Sequence, residues 1–149
     1  MSIAAVTVGL AITAAVGSPL GKDVQPSRYS DACGVARSYL NQASQFSNTY
    51  SYRKAYDAAV VGLRANHTCK DARLFIVNEG YLLSTKAIAE HFINKGDSSR
   101  DLNRAIDLLK RCRTMAPTLG RTVSDLCAQQ EQNDIVTRER FATRQVILK

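Results

Sequence analysis

An internal repeat is the feature that most limits how this chain can fold. Two stretches, Lys54 to His67 and Arg104 to Pro117, carry the same helical pattern fifty positions apart. Each begins with a basic residue followed by alanine. Small or apolar residues stand four and seven positions after that alanine, namely Ala59, Gly62, Leu109 and Cys112. Such self-similarity predicts stacked helical units that form a scaffold.

The pattern resembles the second helix of a tetratricopeptide repeat, whose small residues let paired helices approach closely. The resemblance covers roughly Asp31 to Asp134, with a period of fifty residues where the family has about thirty-four. It implies an all-α fold, in which antiparallel helix pairs form a short tetratricopeptide-like solenoid with a terminal capping helix. It also implies a surface that holds a protein or peptide partner. A helical bundle of unrelated origin would bury the same faces.

Apolar periodicity and capping residues predict five helices within a helical-repeat domain spanning 30–149. The first predicted helix is capped by Ser30 or Asp31 and ends near Phe46, and the second runs from about Ser51 to Ala65. The third has about 27 residues, is capped by Thr68 with Asp71 and ends at Lys95. The fourth is capped by Ser98 with Asp101 and ends at Pro117, and the fifth begins at about Thr118 and is broken near Asn133.

The N-terminal segment 1–17 resembles a secretory signal. Its first sixteen residues carry no charge, and Ala15 and Gly17 supply the small residues that cleavage before Ser18 would need. A polar linker follows over 18–29. These features predict a secreted or periplasmic protein. The alternative is an uncleaved apolar arm, through which the chain would attach to a membrane or fill a groove on the next protomer.

The four cysteines are even in number and contain no Cys-x-x-Cys motif, so an exported chain would bridge them in pairs. In the solenoid, Cys33 and Cys69 lie near the starts of the first helices of successive pairs, which run parallel and adjacent. Cys112 and Cys127 flank the turn at Pro117 in an antiparallel hairpin. We therefore predict disulfides Cys33–Cys69 and Cys112–Cys127.

The net charge of +7 raises the question of an anionic partner. The densest basic group is interrupted by Asp101 and Asp107, which is typical of a solvated helix face. The group consists of Arg100, Arg104, Lys110, Arg111 and Arg113. The sequence contains no nucleic-acid motif, so nucleic acid is not an expected partner. Binding of another anionic polymer through this face is an alternative that steep salt dependence would reveal.

No residue pattern predicts catalysis, a metal or a cofactor. The two histidines, His67 and His91, lack the spacing of metal ligands, and Cys69 with His67 shares no helix face on which a nucleophile pair could form. The thirteen acids are dispersed. Asn66 begins a glycosylation sequon, which matters only in a secreted eukaryotic protein.

The sequence thus predicts a non-enzymatic, exported helical-repeat scaffold or protein-interaction module. The main alternative is a self-assembling structural subunit that uses its apolar N-terminal arm or its C-terminal helix, which would make the chain a homo-oligomer. Candidate binding residues are the polar and aromatic positions of the first helices and two arginines of the basic group: Tyr39, Asn41, Asn78, Tyr81, Lys86, Arg104 and Arg111. Of these, Tyr39 and Tyr81 are also candidates for the core.

Overall fold

A computed structural model describes residues 32–115 and 120–147 of the chain, with side chains described up to residue 143. The signal-like segment 1–17, the linker 18–29, the cap at Ser30 or Asp31 and the turn at Pro117 lie outside these residues. Within them, all regular structure is α-helical, which confirms the all-α class. The helices are α1 (Ala32–Asn48), α2 (Tyr52–Asn66), α3 (Ala72–Ile93), α4 (Ser98–Thr114) and α5 (Arg121–Ile147).

Each helix packs against the next one along the chain, and short connections make consecutive helices antiparallel. In addition, α1 contacts α3 and α3 contacts α5, so alternate helices also touch. The starts of α1, α3 and α5 consequently lie at the same end as the finishes of α2 and α4. None of the described helices has an apolar stretch long enough to cross a bilayer.

Helix α3 is the centre of the molecule, because the other four helices all contact it. Every residue from Ile76 to Thr85 is buried, including polar ones. The main core continues through Leu40, Ala59 and Leu109 on the surrounding helices. A central helix that is covered on every side must satisfy its polar groups internally, and this requirement produces the polar clusters described below.

The two repeat stretches bury equivalent positions. Ala55 and Ala59 on α2 are inaccessible to solvent, as are Ala105 and Leu109 on α4. Gly62 lies where α2 meets both α1 and α3: a Cβ atom placed there would be 2.7 Å from a methyl of Leu82. The small residues therefore permit close helix approach, as the repeat pattern predicts.

The helix limits differ from the predicted ones at three points. Helix α3 begins at Ala72, because Asp71 rather than Thr68 is its N-cap and accepts hydrogen bonds from the backbone of Arg73 and Leu74. It therefore has 22 residues and ends before Asn94, whose φ of 56° stops the helix. Helix α4 is likewise capped by Asp97 rather than by Ser98.

Helix α5 runs without interruption from Arg121 to Ile147, so the break predicted near Asn133 was wrong. The polar segment that suggested a break contains Gln130 and Asp134, which both point into the interface with α3. Polar residues that are hydrogen-bonded across a helix interface do not end a helix.

Both predicted disulfides are present. Cys33 is bonded to Cys69 across 36 residues of chain, and Cys112 is bonded to Cys127 across 15. Cys33 lies at the start of α1 and Cys69 between α2 and α3, while Cys112 lies in the last turns of α4 and Cys127 near the start of α5. Because consecutive helices are antiparallel, all four cysteines lie toward the same end of the molecule, which we call the disulfide end.

Candidate functional site

Most of the predicted binding residues do not form one exposed surface. Asn78 and Tyr81 are only 3% and 2% exposed, so they are not surface contact residues. Tyr39 and Asn41 on α1 and Lys86 on α3 are partly buried, whereas Arg104 and Arg111 on α4 are exposed. Asn78 and Tyr81 are covered because the other four described helices all pack against α3, and the burial of Tyr81 agrees with its alternative assignment to the core.

A first polar cluster surrounds Asn66 at the end of α2. The Asn66 side chain donates hydrogen bonds to the Phe75 carbonyl at 3.0 Å and to Oε2 of Glu79 at 2.9 Å, and it accepts one from Asn78. Asn66 is fully buried. Its amide is therefore committed to joining α2 and α3, and the glycosylation sequon is inaccessible in the folded protein.

The basic group of α4 is largely paired with acids. Arg104 donates to the buried Glu79 at 3.1 Å. Arg100 pairs with Asp101, and Arg113 donates to Glu131 of α5 at 2.9 Å. Carboxylates from two neighbouring helices thus lie among these cations, in keeping with a solvated, charge-balanced face.

A second polar cluster joins the middle of α3 to α5. Ser84 Oγ and Gln130 Nε2 both donate to Oδ1 of Asp134, at 2.7 and 2.8 Å. Burial raises the pKa of Asp134 to about 7, even though the two hydrogen bonds favour its charged form. Burial also raises the pKa of Tyr81, with a further contribution from Asp134.

A third polar cluster lies near the other end of α3, opposite the disulfide end. The Lys86 ammonium donates to Glu90 on its own helix and to Asp101 on α4. Burial lowers the pKa of Lys86, but its hydrogen bonds to the two carboxylates outweigh this effect and raise it. Burial raises the pKa of Glu90, partly offset by Lys86. The cluster fixes the positions of α3 and α4 relative to each other.

Most of the carboxyl and hydroxyl groups of these three clusters are enclosed by the helices. Ser84, Glu79 and Asp134 are all buried within helix interfaces. His91, the histidine nearest to the third cluster, stacks on the ring of Phe141 with centroids 3.5 Å apart. No group of side chains able to hold a metal ion occurs among the described residues.

A set of aromatic side chains lies at the end of the molecule opposite the disulfides. Tyr50 and Tyr52 stand at the turn into α2, His91 and Phe92 at the finish of α3, and Phe141 late in α5. We call these five residues the aromatic row and their end of the molecule the aromatic end. The row brings together three helices and one turn that are far apart in the sequence.

The rings of the aromatic row contact one another in sequence across the surface. Tyr52 stacks on Phe92 with centroids 4.3 Å apart and planes 12° from parallel. Tyr50 packs edge-on against Tyr52, and Phe141 packs edge-on against Phe92. Despite these contacts, Tyr50 is 65% exposed and Phe92 is 47% exposed. The row is thus a continuous set of ring contacts that remains partly open to solvent.

Tyr50 adopts a backbone conformation that normally belongs to glycine. Its φ is 57°, and the turn around it is closed by backbone hydrogen bonds from Tyr50 to Ser47 and from Ser51 to Phe46. This is the arrangement in which a left-handed residue ends a helix, and glycine is the usual residue there because a Cβ atom is strained. An exposed tyrosine is therefore held at an unfavourable position.

Cations surround the aromatic row. Arg53 and Lys54 follow Tyr52 on α2, and Lys95 follows α3; all three are exposed. The Lys95 ammonium lies 4.3 Å from the centroid of the Tyr56 ring, a cation–π contact that holds this lysine close to the row. The aromatic end is thus both apolar and basic.

Sequence reasoning missed the aromatic row. The one local signal was the presence of aromatic residues at helix limits, as in Tyr50-Ser51-Tyr52 and His91-Phe92, where an apolar stripe would be expected to stop. Such positions place large rings beside polar turns rather than within a core face. Their assembly into one surface depends on the antiparallel packing and cannot be read from spacing.

Comparisons with known proteins add no relative to this description. No protein-family model, no curated protein and no solved structure matches the chain. The function must therefore be argued from the residues themselves.

Proposed function

We propose that this protein is a non-enzymatic, exported helical-repeat module that binds another protein through its aromatic row. The observation that carries the proposal is the exposure of Tyr50 and Phe92 within a set of rings that contact one another. Exposed aromatic residues in contact with one another are typical of the central residues of protein interfaces, where burying a ring contributes most of the binding free energy.

The helical architecture supports a binding role. Tetratricopeptide-like modules hold partners on rigid helix surfaces, and here four helices around α3 fix the positions of the rings. The buried polar clusters are consistent with this role, because they join neighbouring helices and enclose the carboxylates of Glu79, Glu90 and Asp134. Rigid placement lowers the entropic cost of binding.

Export is supported by the two disulfides. Disulfides persist in oxidising compartments and are rare in the cytosol. With all four cysteines bridged, and a signal-like N-terminal segment in the sequence, a secreted or periplasmic location accounts for both features.

Site-specific photo-crosslinking in the source cells tests the proposal. A photoreactive phenylalanine analogue at position 50 should give adducts with another protein in the extracytoplasmic fraction. The matched control carries the analogue at Val35, which is also exposed but lies near the disulfide end. Equal adduct formation at both positions, or adducts at neither, would contradict binding through the aromatic row. Retention of the chain in the cytosol would contradict export.

A further inference from the structure

The geometry points to the kind of partner: we infer that the aromatic row binds an acidic segment of another protein that carries apolar side chains, with Tyr50 as the anchor. The inference rests on the proposed function and goes further by naming the chemistry of the partner. Three independent features of the aromatic end support it: the strained backbone at Tyr50, the orientation of the rings and the excess of positive charge.

The backbone at Tyr50 indicates selection for the side chain rather than for stability. A non-glycine residue in the left-handed region is strained, and glycine at this turn would relieve the strain. Tyr50 is 65% exposed, so burial of its ring in the chain's own core does not compensate for the strain. A strained, exposed aromatic residue is expected where the ring serves an interaction with another molecule.

The orientation of the rings favours apolar side chains over sugars or nucleic-acid bases. Sugars and bases stack on open ring faces. In the aromatic row the faces of Tyr52 and Phe92 lie against each other, and those of His91 and Phe141 do the same. One face of each of these four rings is therefore already occupied, which leaves fewer open faces for a sugar or a base and favours contact with aliphatic or aromatic side chains of a peptide.

Charge favours an acidic partner over a second copy of this chain. Exposed cations at the aromatic end outnumber exposed carboxylates, and one of these carboxylates, Asp97, is already engaged as the cap of α4. Arg100 is left out of this comparison because it pairs with Asp101; the remaining exposed cations are Arg53, Lys54, Lys95 and Arg140, and the exposed carboxylates are Asp57, Asp97 and Glu139. A two-fold contact between copies would oppose like charges, whereas Asp or Glu on a partner would pair with them.

The test is a peptide-display selection on the full chain, with counter-selection on the double variant Tyr50→Gly and Phe92→Ser. We expect the enriched peptides to combine Asp or Glu with large apolar residues. A synthetic consensus peptide should lose at least about tenfold in affinity for Tyr50→Gly. The same substitution should raise the thermal midpoint, because it relieves the strain. Val35→Ser, at the other end of α1, should leave the affinity unchanged.

Charge is tested on the peptide itself. Replacing its acids by Asn or Gln should weaken binding, and added salt should do the same. Peptides that bind through the aromatic row but carry no Asp or Glu would contradict the inference that the partner is acidic. They would not contradict the proposed function. A selection without any row-dependent peptide would overturn both. A thermal midpoint that Tyr50→Gly lowers or leaves unchanged would contradict the strain argument. Binding that depends on the aromatic row but occurs only to phosphatidylglycerol vesicles would contradict a protein partner and indicate a membrane surface.

Discussion

Ser84 Oγ donates a hydrogen bond of 2.7 Å to Oδ1 of Asp134, joining the centre of α3 to α5 in a fully buried interface. The second carboxylate oxygen, Oδ2, has no hydrogen-bond partner among the described residues. A buried carboxylate with one unsatisfied oxygen is more stable when protonated, and burial accordingly raises its pKa to about 7. The contact between α3 and α5 therefore depends on pH.

The first prediction concerns that dependence. Asp134 binds its proton more tightly in the folded protein than in the unfolded chain, so its contribution to folding stability is complete below about pH 4 and is lost as pH rises through about 7. A shift of this size corresponds to a loss of about 4 kcal/mol over that range. Asn at this position cannot titrate, so the free energy of unfolding of Asp134→Asn should not fall in this way. Denaturant unfolding of both proteins from pH 4 to pH 8 measures the difference.

A second variant controls for the loss of the side chain. Ser84→Ala removes a hydrogen bond that favours the charged carboxylate, so it should raise the pKa of Asp134 further and move the loss of stability to higher pH. Parallel pH profiles for the wild type and Asp134→Asn would show that this carboxylate does not control the interface.

The second prediction concerns Lys86. Its ammonium is the shared partner of Glu90 and Asp101, whose side chains are only 2% and 7% exposed. Lys86→Met would leave the buried Glu90 without a cation and Asp101 with Arg100 alone, and breaking a buried ion pair typically costs about 3–5 kcal/mol. Because burial already raises the pKa of Glu90, the variant should regain stability as the pH falls.

Lys95→Met provides the matched control for that measurement. Lys95 is exposed and lies over Tyr56, so its loss should change the free energy of unfolding by at most about 1 kcal/mol. Equal effects of the two substitutions in urea unfolding would contradict the role assigned to Lys86.

The third prediction compares two helical glycines. Gly62→Ala would place a Cβ atom 2.7 Å from Leu82 and 3.0 Å from the Cβ of Tyr39, so it should destabilise the fold by about 1–3 kcal/mol. Gly34→Ala meets no atom within 4 Å and should stabilise α1 by roughly 0.5–1 kcal/mol. Thermal unfolding of both variants should give shifts of opposite sign; a rise in both midpoints would mean that α2 can move away from its neighbours without cost.

The fourth prediction concerns the order in which the disulfides are reduced. Cys112 and Cys127 are inaccessible to solvent, whereas Cys69 is partly exposed. A thiol reductant under native conditions should therefore cleave Cys33–Cys69 first, and trapping with an alkylating agent followed by peptide mapping would identify the freed thiols. Simultaneous release of all four thiols would instead indicate that reduction requires global unfolding.

The features that follow from helical period were predictable from the sequence. The buried positions Ala55, Ala59 and Ala105 recur at fixed spacing, and spacing of this kind determines which face of a helix is covered. The disulfide pairing was predictable from the order of the helices: Cys33 and Cys69 lie at the starts of two parallel helices, and Cys112 and Cys127 lie on two antiparallel ones. Helix starts were less predictable: Thr68 and Asp71 both have cap chemistry, and the local sequence does not decide between them.

The features that depend on contacts between distant segments were not predictable. Gln130 and Asp134 looked like the polar interruption of a helix, and only the position of Ser84 shows that they face a neighbour. The aromatic row combines residues up to ninety-one positions apart, from Tyr50 to Phe141. Hydrophobic periodicity carries no information about which helix ends meet.

The placement of both disulfides at one end has a consequence for the motions of the molecule. The disulfides limit how far the helix ends at Cys33, Cys69, Cys112 and Cys127 can separate, whereas among the described residues no disulfide joins the helices at the aromatic end. Opening fluctuations should therefore begin at the aromatic end, and backbone amides there should exchange with deuterium sooner than those beside the disulfides. Binding of a partner across the aromatic row would slow that exchange, because the contact would hold together helix ends that the two disulfides do not join.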